Sequence, residues 1–246
     1  MEISFNDIIN KEKGKIAIVI GLGPSLNLDI EVIKSLNRDK YVLICCNDYD
    51  LMTELVGDYW VHANSLDTIG KNYLRYNLRD STIVFADSVD PTPRNVFERL
   101  LTGIYLPYDQ RHFDGRHCTW GGGLNGRSYC CDNIINDRLT IQEELMRFTG
   151  FKTKYGTGDT VSLHMLSLSI LIGCKNIFIT GLDLDYSKGY TNGGVSNDSF
   201  NQYLPRIKSD FKIIYESAKH IGVDIHITNN QTPLKEIIEI KPISID

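Results

Sequence analysis

A glycine-rich turn, Gly21-Leu22-Gly23-Pro24-Ser25, follows the first apolar stretch of the chain, Ile16–Ile20. Glycine lacks a Cβ and lets another group approach the backbone closely. A strand that turns through Gly-x-Gly into a helix points several N–H groups at one spot, which suits a phosphate. A tight turn without a ligand has the same pattern. The third glycine of a dinucleotide fingerprint and the Gly-Lys-Ser/Thr of a P-loop are missing, so neither site is supported.

Polar residues also follow three other apolar stretches of the sequence. They are Asn47-Asp48, Asn64-Ser65, and Asp183 with Asp185. Each has an ordinary interpretation as a turn former. In an open parallel sheet, however, ligands bind outside the carboxyl ends of the strands. Four such clusters together predict a nucleotide-type site at that edge.

Asp183 and Asp185 allow three interpretations. Two carboxylates at positions i and i+2 of an extended backbone point the same way and could hold Mg²⁺ with phosphate oxygens. They could equally bind ribose hydroxyls, or Asp183 could be buried to hold a loop. Among the histidines, His112 and His117 are the better general-base candidates, and with Cys118 they do not make a convincing zinc set. The histidines therefore predict no metal site, and the sequence leaves all three interpretations of Asp183 and Asp185 open.

The apolar stretches alternate with helical patterns, which predicts an α/β fold: a Rossmann-like, mostly parallel sheet with helices on both faces. The predicted strands are Lys15–Ile20, Tyr41–Cys46, Tyr59–Ala63, Thr82–Ala86, Asn176–Thr180 and Val223–Ile227. The predicted helices are Leu28–Leu36, Leu51–Val56, one near Ile141–Phe148, one from an Asp159 cap to Gly173, Leu204–Ile221, and a closing helix begun by Pro233.

The segment 87–158 breaks this alternation, because it is rich in Gly, Asn, Arg, Tyr and Asp and contains TWGGGLNG. A loop region of this length is usually functional or mobile. We predict a single Rossmann-like domain over residues 1–246, in which 87–158 is a long irregular lid insertion on the acceptor side of the carboxyl edge.

Composition limits the class of protein. The 246 residues are 42% hydrophobic and 23% charged, which is ordinary for a globular protein, and the net charge of −5 does not suggest a polyanion-binding surface. No apolar run reaches the roughly 20 residues of a transmembrane helix. The six cysteines include two adjacent pairs and no CxxC, which favours a reduced, cytoplasmic chain. An oligomer is possible, since nothing in the sequence decides the oligomeric state.

Three segments together resemble a known superfamily: GLGPSLN, CCNDYD, and GTGDTVSLHMLSLSILIGCKNIFITGLDLDY. It contains bacterial sialyltransferases that use CMP-sialic acid, motility accessory factor glycosyltransferases that modify flagellin, and MptE-like 6-hydroxymethylpterin pyrophosphokinases. The resemblance covers about residues 15–48 and 156–233. It is specific for the superfamily but does not identify the branch.

The resemblance implies a role for particular residues. Gly21, Gly23, Pro24 and Ser25 would form the nucleotide turn, and Asn47 would contact the nucleotide or the sugar it carries. Leu22 within the turn, and Asn64 and Ser65 after the third strand, are candidate nucleotide-binding residues from their positions at strand ends. Gly158, Asp159 and Thr160 would touch the phosphate or donor sugar through a helix N-terminus, and Asp183 would lie at the nucleotide edge. Two departures from the sialyltransferases are Leu22 between the glycines and a polar loop without a histidine, YTNGGVSNDSFNQYLPRIK.

These observations lead to three candidate functions. The first is a glycosyltransferase with a nucleotide-sugar donor, a CMP-linked sugar being one candidate, and an unidentified acceptor. Its base would be His112, His117 or a carboxylate such as Asp185 or Asp198, and no cofactor is needed. The resemblance implies that tyrosines assist the leaving phosphate, and the candidates are Tyr186, Tyr190 and Tyr203. The second is a pyrophosphokinase that uses ATP, Mg²⁺ and a small alcohol. The third is a non-catalytic nucleotide- or glycan-binding module.

Overall fold

The computed structural model describes residues 1–46, 55–62, 81–86, 105–108, 141–152, 160–189 and 198–244. Seven strands form one sheet: β1 (Ile16–Ile20), β2 (Tyr41–Cys46), β3 (Tyr59–His62), β4 (Thr82–Ala86), β5 (Tyr105–Tyr108), β6 (Asn176–Thr180) and β7 (Asp224–Ile227). The helices are α1 (Ile30–Ser35), α2 (Ile141–Thr149), α3 (Val161–Leu171) and α4 (Leu204–His220). The predicted α/β class is confirmed.

The order of the strands across the sheet is β5-β4-β3-β2-β1-β6-β7, and every pair is parallel. The central strand β1 pairs with β2 on one side and with β6 on the other, so Ile16 lies opposite both Tyr41 and Asn176. Chain order therefore reverses between β1 and β6. In doubly wound sheets, the crevice at such a switch point is where ligands bind.

Helices cover both faces of this sheet. Helix α3 packs over β1, β2 and β3, and α4 packs over β7 on the same face. On the other face, α1 places Ile33 in a cluster with Ile18, Ile20 and Trp60. Strands buried on both faces need continuous apolar side chains, which is why all six residues of Tyr41–Cys46 are buried.

Helix α3 runs opposite to the strands because it feeds β6 from the amino edge of the sheet. Its N-terminus consequently lies at the carboxyl edge, over β1 to β3. Nearly every residue of α3 is buried, as its apolar sequence predicts, and the hydroxyls of Ser167 and Ser169 donate to backbone carbonyls one turn earlier in the helix. The helix thus begins at the carboxyl edge and spans the core.

Several predicted boundaries differ from those observed. Strand β1 begins at Ile16, and the predicted helix Leu28–Leu36 is a 3-10 turn, Pro24–Leu28, followed by the short α1. The side chains of Leu28 and Val32 are exposed rather than on a buried face. The closing helix is a 3-10 turn, Pro233–Glu236. Of the predicted helix Leu51–Val56, residues 51–54 lie outside the described residues.

One strand was not predicted. The segment expected to be irregular contributes β5, which pairs with β4 at the edge of the sheet. Pro107 within it has no N–H to donate, and prolines are confined to edge strands for that reason. The helix near Ile141–Phe148 is confirmed as α2. Most of 87–158 lies outside the described residues, so its predicted role as a lid stays a prediction.

No helix among the described ranges is long and apolar enough to cross a membrane.

We expect Gly181, the first residue after β6, to be intolerant of substitution. Its φ is +64°, and a Cβ there would lie 2.4 Å from the carbonyl oxygen of Gly21. Gly222 has a similar φ of +70° with nothing within 4 Å of a Cβ. Gly222→Ala should therefore cost about 1 kcal/mol, the cost of the left-handed backbone. Gly181→Ala adds a steric clash and should cost about 2–4 kcal/mol.

Urea unfolding of the two variants beside the parent protein measures this difference. Because the two glycine turns contact each other, we expect Gly181→Ala to lose clearly more free energy of unfolding than Gly222→Ala. Equal losses would show that the loops move apart without cost.

Candidate functional site

Two glycine turns meet at the switch point of the sheet. The turn after β1 holds Gly21 and Gly23, and the turn after β6 begins at Gly181. The N–H of Gly21 donates to Thr180 O at 2.8 Å, and the N–H of Gly23 donates to Gly181 O at 2.7 Å. A Cβ on Gly21 would lie only 2.3 Å from the Gly181 carbonyl oxygen. The backbone of the second turn therefore occupies the space that these glycines leave open.

The carboxylate of Asp183 joins the two turns by hydrogen bonds. Its Oδ2 accepts the backbone N–H of Ser25 at 2.9 Å, and its Oδ1 accepts the Ser25 hydroxyl in a short hydrogen bond. Both residues are buried. A Cβ on Gly23 would lie 2.7 Å from the Asp183 carboxyl carbon, so the glycine also makes room for this side chain. Of the interpretations of Asp183, the geometry corresponds to a buried group that holds a loop.

A second carboxylate ties the same region to β7. Asp29, which precedes α1, accepts the hydroxyls of Thr180 at 2.6 Å and of Thr228 at 2.5 Å through its Oδ2. One side chain thereby joins the segment after β1 to the ends of β6 and β7. The sequence analysis did not single out these three residues. The only sequence signal for this contact was a threonine at the last position of β6.

Between the glycine turn and the loop after β7, the packing is nearly complete. The void bordered by Ser25, Gly181, Thr228 and Asn229 measures about 10 Å³. That is about the minimum for one water molecule and far below the size of a ligand. The contact between the glycine turn and the loop after β7 therefore leaves no room for a ligand.

Thr160 caps the N-terminus of α3. Its Oγ1 accepts the N–H of Ser162 at 3.3 Å, and the residue is buried. The predicted cap was Asp159, one residue earlier in the chain. Threonine serves because its hydroxyl oxygen reaches the N–H two residues ahead. The remaining N–H groups of the first turn and the positive end of the helix dipole point to the carboxyl edge of the sheet, an arrangement that suits an anion.

Asp185 and Asp183 do not form the pair that an extended strand would give. Strand β6 ends at Thr180, and Leu184 between the two carboxylates has a φ of +51°, in the left-handed region. Asp185 instead caps the 3-10 turn Tyr186–Lys188 by accepting the N–H of Ser187 at 3.2 Å. The assumption of an extended backbone was therefore wrong.

The environment of Asp185 lowers its basicity. The hydrogen bond from the Ser187 hydroxyl holds the pKa of Asp185 below its usual value, and Lys188 at 3.2 Å acts in the same direction. A general base works best with a pKa near the operating pH. These contacts make Asp185 a weak candidate for the proton acceptor.

The predicted site residues divide into those that the structure describes and those that it does not. Gly21, Leu22, Gly23, Pro24, Ser25, Thr160, Asp183, Asp185 and Tyr186 all follow strand ends or open α3 at the carboxyl edge. Outside the described residues lie His112, His117, Asn47, Asn64, Ser65, Gly158 and Asp159. Their roles stay predictions. Among the described residues, no group of three or more His, Cys, Asp or Glu could hold a metal ion.

We expect Asp183→Ala to destabilise the protein strongly. It leaves the N–H and hydroxyl of Ser25 buried without an acceptor, and hydrogen bonds to a charged group contribute about 1.5–3 kcal/mol each. The predicted loss of unfolding free energy is about 2–4 kcal/mol. Asp185→Ala is the matched control, since its half-exposed carboxylate serves a short turn whose loss should cost about 1 kcal/mol or less. Denaturant unfolding that gave equal losses would contradict the structural role of Asp183.

Solved structures with a similar fold include sialyltransferases. The chain aligns with CstII from Campylobacter jejuni in complex with the substrate analogue CMP-3FNeuAc at a TM-score of 0.53 and 12% identity, covering 93% of this chain and 87% of that chain. It aligns with a single-residue variant of CST-II in complex with CMP at 0.54 and 13%, with the same coverage. The complex of CST-II with a trisaccharide acceptor and CMP gives 0.51 and 13%, covering 93% and 86%.

No protein-family model matches the sequence, and no curated protein matches it. Identities of 12–14% carry information about the fold and not about the reaction. The alignments do extend over nearly the whole chain, including the ranges on both sides of the predicted lid. The chain therefore has the Rossmann-like α/β fold of these sialyltransferases.

Proposed function

We propose that the protein is a glycosyltransferase that moves a sugar from a nucleotide-activated donor to an acceptor hydroxyl. The observation that carries the proposal is the glycine turn at the switch point, where doubly wound sheets bind their ligands. The fold shared with sialyltransferases that were solved with CMP supports a nucleotide donor, and CMP is our first candidate for it.

The nucleotide in this proposal lies on the β2 side of the glycine turn. Gly181 and Asp183 fill the β6 side, where they contact the glycine turn directly. Asn47 directly follows the last residue of β2 in the sequence, and the N-terminus of α3 at Thr160 points to the same edge. We assign the phosphate to the helix N-terminus with Gly158 and Asp159, and the nucleoside to Asn47, Asn64 and Ser65.

Transfer requires two catalytic contributions. The acceptor oxygen forms a bond to the anomeric carbon while the bond from that carbon to the phosphate oxygen breaks, and the electron pair leaves with the phosphate. A base must take the acceptor proton, and we assign this to His112 or His117, because the pKa of Asp185 is lowered. The N–H groups of α3 and the Tyr186 hydroxyl would stabilise the departing phosphate.

We propose that this chemistry needs no metal ion. A magnesium site would draw on Asp183 and Asp185, yet their oxygens already accept protein hydrogen bonds or face a lysine. Both Asp183 oxygens bind Ser25, one Asp185 oxygen binds Ser187, and the other faces Lys188. These carboxylate oxygens could bind a divalent cation only if the loop contacts were broken, which disfavours the pyrophosphokinase alternative.

Thermal unfolding with CMP, CDP, UDP, GDP, AMP and ATP, each with and without Mg²⁺, tests the proposal. A nucleotide at 100 times its dissociation constant stabilises the folded state by about 2.7 kcal/mol. For a chain of this length, that raises Tm by roughly 5–10 °C. We expect the shift with a cytidine nucleotide in the absence of metal.

Asn47→Ala should reduce this shift by at least half, since it removes a predicted contact to the nucleotide. Asn230→Ala, an exposed asparagine on the loop after β7, is the control and should keep the full shift. Stabilisation by ATP only with Mg²⁺ would instead favour pyrophosphate transfer. The absence of any shift would overturn both enzymatic functions and leave the binding module.

A further inference from the structure

A second cavity opens at the carboxyl edge, on the side of β6 away from the glycine turn. Its volume is about 410 Å³. It lies where the loop after β6, the first turn of α4 and the 3-10 turn Pro233–Glu236 meet. At roughly 30 Å³ per water molecule, it holds on the order of a dozen waters. It falls in the ordinary size range of small-molecule sites and is large enough for one hexose ring.

The charges around this cavity do not favour a polyanion. Three carboxylates, Asp183, Asp185 and Glu236, border it, against one lysine, Lys235. Two of these acids already have cationic partners, because Lys188 lies 3.2 Å from Asp185 and Lys208 lies 2.5 Å from Glu236. With Lys188 and Lys208 counted, the three carboxylates face three lysines, so a phosphate-bearing ligand would meet no net positive charge here. An uncharged ligand needs no such charge.

The rest of the wall combines flat polar groups with apolar surface. Asn201 and Gln231 supply amide groups that both donate and accept hydrogen bonds, while the Thr232 hydroxyl already accepts the N–H of Leu234. Leu184 and Leu204 add apolar contacts. A sugar ring presents the matching chemistry, with hydroxyls around its rim and C–H groups on its faces.

The position of the cavity suits the second substrate of a transfer. Asp183 lines the cavity, and its carboxylate also holds Ser25 of the glycine turn. A single loop therefore separates the cavity from the switch point. We infer that this cavity is the acceptor subsite and takes an uncharged, hydroxyl-rich sugar residue; this inference rests on the proposed glycosyl transfer.

Gln231→Trp tests the assignment by filling the mouth of the cavity from an exposed position, so the fold is expected to persist. The matched control is Gln202→Trp, an exposed glutamine near Asn201 in the chain that does not line the cavity. The probes are the methyl glycosides of galactose, glucose, mannose and N-acetylglucosamine, together with lactose. Binding is measured by saturation-transfer difference NMR titration at millimolar concentrations.

We expect at least one of these sugars to bind the parent protein and the Gln202→Trp variant equally, and to bind the Gln231→Trp variant at least tenfold more weakly. Equal binding to both variants, or no binding of any probe to the parent, would overturn the acceptor assignment. Thermal melts of all three proteins verify that they are folded.

The CMP-induced Tm shift, measured on the same three proteins, separates the two proposals. We expect it to be unchanged in Gln231→Trp, since the cavity lies across the loop from the nucleotide. A retained CMP shift without sugar binding removes the acceptor subsite and leaves the proposed transfer in place. The opposite result is sugar binding that Gln231→Trp blocks, with no CMP shift in any of the three proteins. It would rule out the transferase and the acceptor role and would identify a sugar-binding cavity.

Discussion

The contact between the two glycine turns is the constraint on which the site depends. A Cβ on Gly21 or on Gly181 would lie within 2.4 Å of the opposite carbonyl oxygen, so neither turn tolerates a side chain while the other stays in place. The buried hydrogen bonds from Ser25 to Asp183 then fix the two turns together. Asp29 extends the connection to β7 through Thr228. The floor of the carboxyl edge is therefore one connected unit.

This contact changes the meaning of the Gly-x-Gly pattern. From sequence, the glycines predict that some group comes close to the backbone, and this is correct. The group on the β6 side is the protein's own second turn. Sequence spacing cannot distinguish that turn from a phosphate, since Ser25 and Asp183 are 158 positions apart in the chain. A ligand at the switch point is left with the side facing β2, where the N-terminus of α3 can supply N–H groups.

The parts of the fold that the sequence predicted are those dictated by local patterns. Tyr41–Cys46, Thr82–Ala86 and Asn176–Thr180 were predicted with their observed bounds, because buried parallel strands need unbroken apolar runs. Strand β5 was not predicted, because a proline such as Pro107 argues against a strand unless the strand is known to lie at an edge. The left-handed Leu184 could not be foreseen either, since leucine has no local preference for it and its buried side chain stabilises it.

The loop after β6 explains why two aspartates that look equivalent in sequence have different roles. The reversal at Leu184 turns Asp183 inward to Ser25 and leaves Asp185 at the surface of the next turn. The same loop forms the wall between the glycine turn and the 410 Å³ cavity. Bimolecular transfer gains most when both reactants are held at fixed positions. The loop is anchored by a buried carboxylate and borders both compartments, so in the proposed transfer Asp183 would hold this wall in place.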